Sequence, residues 1–173
     1  MKKDPENIMK PRVLIMMGSD SDLPVMEETA KVLSGFGIPY HMTVASAHRT
    51  PARVLKLVKE AEKEGVDVII AGAGMAAHLP GVIASHTILP VIGVPLNASS
   101  LDGMDALLSM AQMPPGIPVA TVSLGKAGAT NAGILAAQII ARKDVRLAKK
   151  LLVHRGKMAR EVEEKARKIA GRK

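Results

Sequence analysis

The stretch RVLIMMGSDSDLP at residues 12–24 decides the fold prediction for this chain of 173 residues. Its five apolar residues, Val13 to Met17, form a continuous run that is typical of a strand buried on both faces of a parallel sheet. Gly18 ends the run, and the Asp and Ser residues after it, followed by Pro24, are typical of the start of a helix. The stretch therefore predicts a strand, a glycine turn and a helix.

The same unit recurs along the chain. Further strands are predicted at 38–45, 68–71, 90–94 and 119–122, and further helices at 50–65, 78–86, 101–112 and 127–142. Five strands that are each followed by a helix predict a doubly wound α/β sandwich of three layers around a five-stranded parallel sheet. In such a fold, ligands bind at the carboxyl ends of the strands.

The two ends of the chain differ from this central part. We predict three segments: a flexible N-terminal extension at residues 1–11, the α/β catalytic domain at 12–142 and a basic helical extension at 143–173. The formal net charge is +8, but residues 142–173 hold 13 Lys and Arg against 4 Asp and Glu, while 1–141 hold 11 against 12. The last helix has a long apolar stripe, which Gly156 could interrupt. The stripe consists of Leu147, Leu151, His154, Met158, Val162 and Ile169. Because the helix is longer than its own domain can cover, we expect it to pack on a neighbouring subunit.

Composition excludes several classes of function. Without cysteine, the chain has neither disulfides nor a thiolate site. Phe36 and Tyr40 are the only aromatic residues, so stacking platforms for single-stranded nucleic acid or for a flavin are absent and the basic tail predicts a solvated helix face. No apolar run reaches the ~18 residues of a membrane span, and no set of His, Asp and Glu has metal-ligand spacing. We expect a cytoplasmic protein that contacts no nucleic acid or membrane and binds no metal.

Three loops at strand ends carry the candidate chemistry, and all three should face one crevice. They are GSDSD at 18–22, SAHRTP at 46–51 and GAGMAAHLPG at 72–81. The first suits either an anion such as phosphate or plain helix capping. In the second, a histidine, whose side chain can both donate and accept a proton, stands beside Arg49, which predicts an acid-base group next to an anion clamp. The alternative is that His48 caps a helix and Arg49 is solvated. In the third, His78 is either catalytic or structural.

Three other segments could contribute to the site. Asn97–Ser100 and Gln112–Pro118 could close it, and Lys126 stands at a helix start where anion binding and capping are equally plausible. His41, His86 and His154 are predicted to be structural.

Five motifs in register resemble the class I PurE family, whose members make 4-carboxy-5-aminoimidazole ribonucleotide in purine biosynthesis. The motifs are GSDSD at 18–22, SAHRTP at 46–51, AAHLPG at 76–81, QMPPGIPV at 112–119 and GKAGATNA at 125–132. The resemblance implies a flavodoxin-like fold, a homo-octamer, and a mutase that moves a carboxyl group from nitrogen to carbon without a cofactor. It also implies that the reaction proceeds through CO2 that is released and recaptured.

The resemblance further implies a role for each site residue. His48 would be the general acid and base. Arg49 and the loop of Ser19 and Ser21 would hold the phosphate, and Asp22 would bind a ribose hydroxyl. The walls around the base and the CO2 would be formed by Ser46, Ala73, Gly74, Ala76, His78 and Leu79.

Met75 departs from the family pattern, in which many members have glycine, and leaves the carboxyl donor open. The donor is the N5-carboxylated nucleotide in a mutase and free CO2 in an aminoimidazole ribonucleotide carboxylase. A further alternative is a non-catalytic flavodoxin-like module that binds a nucleotide.

Overall fold

A computed structural model describes residues 10–171, so that all but the last two residues of the predicted N-terminal extension lie outside the described residues. The strands are β1 (Val13–Met17), β2 (Tyr40–Val44), β3 (Val68–Gly74), β4 (Val91–Leu96) and β5 (Ala120–Thr121). The helices are α1 (Leu23–Phe36), α2 (Pro51–Glu64), α3 (Leu79–Ala84), α4 (Met104–Ala111), α5 (Gly125–Ala141) and α6 (Val145–Ala170). The prediction of alternating strands and helices is confirmed.

All five strands are parallel and lie in the order β2-β1-β3-β4-β5. The chain passes from β1 to β2 at one edge and then crosses to the other side of β1 to form β3. The loops after β1 and β3 therefore diverge at this switch point and leave a crevice at the carboxyl ends of the strands, which is where ligands bind in doubly wound sheets.

Both faces of the sheet are covered, as the apolar runs in the strands predict. On one face, side chains such as Ile15 and Ile70 pack with α1, α5 and the start of α6. On the other face, Leu14 and Ile69 pack with α2, α3 and α4. Full burial of each such side chain contributes about 1.5–3 kcal/mol relative to leaving it in water. The two cores hold the sheet rigid and fix the loops at its edge.

The turn after β1 differs in one detail from the prediction. Asp20, Ser21 and Asp22 form a single 3-10 turn before α1, and the residue that caps this turn is Ser19. The Ser19 side chain accepts from the backbone N–H of Ser21, while the Asp22 carboxylate accepts from the N–H of Ser19. This reciprocal pair is a capping box, which satisfies donors that a helix start leaves free.

The predicted C-terminal helix is confirmed as α6, but the prediction that its whole apolar stripe is uncovered is wrong. The helix runs without a break through Gly156. Leu147 and Leu151 are buried in the protein's own core, and the ring of His154 lies edge-on against Phe36 at 5.5 Å between centroids. Of the residues in the predicted stripe, only Met158, Val162 and Ile169 are exposed. The uncovered stripe is therefore the second half of the helix rather than its whole length.

The start of α6 is anchored to the sheet by polar contacts. Asp144 caps the helix through the N–H of Leu147 at 3.0 Å, and Arg12 at the start of β1 contacts the carboxylates of both Asp67 and Asp144. Within residues 10–171, no helix has the length and apolarity that a membrane crossing requires.

Candidate active site

One cavity of about 700 Å³ opens at the carboxyl ends of the strands. This volume suits a small-molecule ligand. It is lined by Gly18, Ser19, Ser21, Asp22, Ser46, Ala47, His48, Arg49, Ala73, Gly74, Met75, Ala76, His78, Leu79 and Ala98. The three predicted loops thus meet around a single cavity, and each of the predicted site residues lies on its wall.

The loop after β1 supplies the buried acid of this cavity. Asp22 is held by the capping box, in which its carboxylate oxygen lies 3.1 Å from the N–H of Ser19. Burial raises the pKa of Asp22, and the N–H groups of Ser19 and Gly18 and the charge of Arg49 oppose that rise. The loop also presents two hydroxyls, since the side chains of Ser19 and Ser21 are joined at 2.9 Å. Ser19 and Asp22 form the capping box and also line the cavity, so helix capping and ligand binding are compatible at this loop.

The loop after β2 places a cation against the first loop. The guanidinium of Arg49 donates to the carbonyl of Gly18 at 3.0 Å, and the Arg49 N–H lies 3.2 Å from the Ser46 hydroxyl. Thr50 closes the turn by accepting from the N–H of Ser46 at 2.9 Å. Arg49 thereby ties the first two loops together and leaves a positive charge beside their hydroxyls, which is an arrangement suited to a phosphate.

Two imidazoles from different loops meet in the cavity. His48 Nε2 lies 2.8 Å from His78 Nδ1, and the ring planes are nearly perpendicular at 84°. At this distance one nitrogen donates and the other accepts, so the pair holds a single hydrogen between its facing nitrogens. The contact connects a residue after β2 with a residue after β3.

The sequence did not predict this histidine pair. His48 and His78 are 30 residues apart and neither spacing nor composition links them. The signal lies in the strand order, because β1 alone separates β2 from β3 and two long side chains can span ~10 Å between their strands. The contact between His48 and His78 could therefore be predicted only if the strand order were already known.

The three other segments that were predicted to contribute to the site supply almost none of the cavity wall. Of Asn97–Ser100 only Ala98 lines it, and neither Gln112–Pro118 nor Lys126 does. The 112–118 turn lies beside α3 instead, where the sulfur of Met113 would come within 3.1 Å of a methyl group at Gly81. Within the part of the chain that the structure describes, no group of three or more His, Asp and Glu could hold a metal ion.

Comparison with known proteins places this geometry in context. Residues 12–161 match the family model described as AIR carboxylase. The chain is 56% identical over 160 residues to the N5-carboxyaminoimidazole ribonucleotide mutase of Pyrococcus horikoshii, covering 92% of this chain and 89% of that protein. It is 54% identical over 143 residues to the protein of the same name from Bacillus subtilis, covering 83% and 88%.

Two further likenesses bear on the fold and on the alternative activity. A crystal structure of Treponema denticola PurE superposes with a TM-score of 0.82 at 32% identity, covering 91% of this chain and 98% of that one. The phosphoribosylaminoimidazole carboxylase of Saccharomyces cerevisiae is 49% identical over 168 residues. That alignment covers 97% of this chain but only 29% of the yeast protein, which is therefore much longer.

Proposed function

Since the chain belongs to the AIR carboxylase family, we propose that it is the N5-carboxyaminoimidazole ribonucleotide mutase of purine biosynthesis. It converts N5-carboxyaminoimidazole ribonucleotide to 4-carboxy-5-aminoimidazole ribonucleotide, an isomerisation. The observation that supports a mutase site is the joining of three loops around one cavity that holds His48, Arg49 and Asp22 together. A cytoplasmic location is part of the proposal.

His48 carries the proton in the proposed mechanism. The bond between the carboxyl carbon and the exocyclic nitrogen breaks, its electron pair stays on the nitrogen, and CO2 is released as the His48 imidazolium donates a proton to that nitrogen. Ring carbon C4 then attacks CO2, and the neutral imidazole removes the C4 proton. The proton lost in the first step is thus regained in the second, so one residue serves both steps and no net proton is exchanged.

His78 positions the acid-base group in this proposal. We assign the acceptor role to its Nδ1, which lies 2.8 Å from Nε2 of His48, because Nε2 can then donate whether His48 is neutral or protonated. Nδ1 of His48 is then the nitrogen that exchanges a proton with the substrate. The bond fixes the imidazole ring before the substrate arrives.

The remaining wall residues bind the substrate. Arg49, Ser19 and Ser21 hold the phosphate, since the Arg49 guanidinium bonds to Gly18, next to the loop that presents both hydroxyls to the same cavity. The Asp22 carboxylate accepts from a ribose hydroxyl. The base and the released CO2 lie against the walls at Ser46, Ala73, Gly74, Ala76, His78 and Leu79. Because the freed CO2 stays beside C4, its recapture is effectively intramolecular.

We also propose that the enzyme works as a homo-octamer. The second half of α6 extends beyond the core with Met158, Val162 and Ile169 exposed on the stripe that begins at the buried Leu147 and Leu151. Apolar side chains on a helix that its own domain leaves uncovered favour a partner surface, here a second copy of the chain.

A comparison of two substrates tests the activity. Purified protein is given the N5-carboxylated nucleotide, or aminoimidazole ribonucleotide with bicarbonate, and formation of the 4-carboxy product is followed. A mutase forms product from the first substrate without added bicarbonate and much faster than the substrate decays on its own. Product from the second substrate alone would favour the carboxylase, the activity that the yeast relative's name describes. No product from either, with nucleotide binding retained, would favour a non-catalytic module.

A further inference from the structure

We infer that Thr50 is a positioning residue for the acid-base group, because its hydroxyl braces the turn that carries His48 and so holds the imidazole where it can exchange a proton with the substrate. This inference rests on the proposed mutase function. It is argued from the hydrogen bonds that close the turn, from the bonds on either side of it, and from the helix start at which Thr50 stands.

The turn at residues 46–50 is closed by bonds between its first and last residues. The Thr50 hydroxyl accepts from the N–H of Ser46 at 2.9 Å and donates to the carbonyl of Ser46 at 3.2 Å. The same carbonyl also accepts from the N–H of Thr50 at 3.0 Å. One side chain therefore bonds to both backbone polar groups of the residue that begins the turn. His48 lies midway between the two bonded residues.

The Thr50 hydroxyl is not used in the way that its position favours. Thr50 directly precedes the first turn of α2, where a threonine side chain ordinarily accepts from an N–H of the helix. Its side chain makes no such bond here. Pro51, the first residue of α2, has no N–H that would need an acceptor. A residue that suits capping, and whose hydroxyl is instead directed back to Ser46, holds the turn rather than the helix.

The segments on either side of the turn are held by other bonds. Before it, the N–H of Ala45 donates to the carbonyl of Met17 in β1 at 2.9 Å. After it, the guanidinium of Arg53 in α2 donates to the carbonyl of Val44 in β2 at 3.1 Å. The strand and the helix are thus attached without the Thr50 side chain. Loss of its hydroxyl should loosen the turn and leave the fold in place.

The two functional side chains of the turn depend on its backbone to different degrees. The long side chain of Arg49 has its own anchor, since its guanidinium donates to the carbonyl of Gly18 at 3.0 Å. The ring of His48 is held by His78 at Nε2 alone, so the direction of Nδ1 also depends on the backbone that carries the ring. A displacement of about 1 Å can cost a hundredfold in rate. Loss of the brace should therefore lower kcat more than it raises KM.

Steady-state kinetics of three variants with the N5-carboxylated nucleotide test this role. Thr50→Val keeps the shape of threonine and removes both hydroxyl bonds, whereas Thr50→Ser keeps them. Thr87→Val is the matched control: the Thr87 hydroxyl also donates, to Glu62 at 2.6 Å, and accepts, from the N–H of Leu89 at 3.1 Å, but Thr87 does not line the cavity. The kcat is expressed per nucleotide-binding site, so that unfolded protein is not counted.

We expect kcat to fall roughly tenfold in Thr50→Val, which corresponds to about 1.4 kcal/mol, while KM stays within about threefold of wild type. Thr50→Ser and Thr87→Val should stay within about twofold of wild type in both constants. A wild-type kcat in Thr50→Val would overturn the inference, as would a Thr50→Ser that loses as much as Thr50→Val. A Thr50→Val protein that does not fold would also overturn it, because the hydroxyl would then serve the fold. Failure of the proposed function is a separate result, since the wild-type protein would then make no product from the N5-carboxylated nucleotide.

Discussion

Replacement of His78 tests whether its contact with His48 positions the acid-base group. The bond joins Nε2 of His48 to Nδ1 of His78 at 2.8 Å between two exposed rings. A hydrogen bond of this kind contributes about 1 kcal/mol net. Loss of the bond also frees the His48 ring to visit other rotamers, which costs roughly 0.5 kcal/mol of ordering when the ring must react. The sum corresponds to a fall in kcat of about tenfold.

The assay compares two variants of His78. His78→Leu removes the acceptor, whereas Oδ1 of His78→Asn lies near the position of Nδ1 and accepts the same bond. We expect His78→Leu to lose about tenfold in kcat with KM nearly unchanged, and His78→Asn to stay within about threefold of wild type. A His78→Leu enzyme with wild-type kcat would refute the positioning role. Equal losses in the two variants would also refute it, because the shape of the ring rather than its bond would then matter.

Three other perturbations separate binding, charge and assembly. Arg49→Ala should raise KM by about tenfold to a hundredfold, since it removes a charge-assisted contact to phosphate, and should change kcat little; steady-state kinetics with an unchanged KM would contradict this. Burial raises the pKa of Asp22 in the folded protein. Ionisation of this side chain therefore lowers the free energy of unfolding as pH rises through that pKa. Asp22→Asn should therefore melt at a higher temperature than wild type at pH 7, with the difference shrinking toward pH 4, while kcat/KM falls; a lower melting temperature at pH 7 would count against it. Removal of residues 157–173, which takes away the exposed stripe of α6, should lower the native mass to smaller assemblies, and an unchanged mass by light scattering would show that this stripe is not an interface.

The fold could be predicted from the sequence because its signals are local. The run from Val13 to Met17 is apolar at every position, and all five side chains are buried. The glycines Gly37 and Gly65 end α1 and α2 in the left-handed conformation, which glycine adopts without steric cost. Strand β5 is shorter than predicted, since it contains two residues where the apolar pattern predicts four.

The site could be predicted in its composition but not in its contacts. Each loop has its own motif, so the residues around the cavity were predictable one loop at a time. The bond between His48 and His78 depends on β2 and β3 lying on either side of β1, which only the folded sheet provides. The burial of Leu147 and Leu151 likewise depends on where α6 docks, which a stripe of apolar residues does not specify.

Proton transfer by His48 is the central claim, and His48→Asn tests it most directly. Asparagine keeps a polar side chain of similar reach but cannot carry a proton between nitrogen and carbon at neutral pH. The measurement is the rate of 4-carboxy product formation from the N5-carboxylated nucleotide, with binding of that nucleotide measured in the same preparation. The account predicts that turnover falls by at least about a thousandfold while binding stays measurable. Turnover within a few-fold of wild type would contradict it.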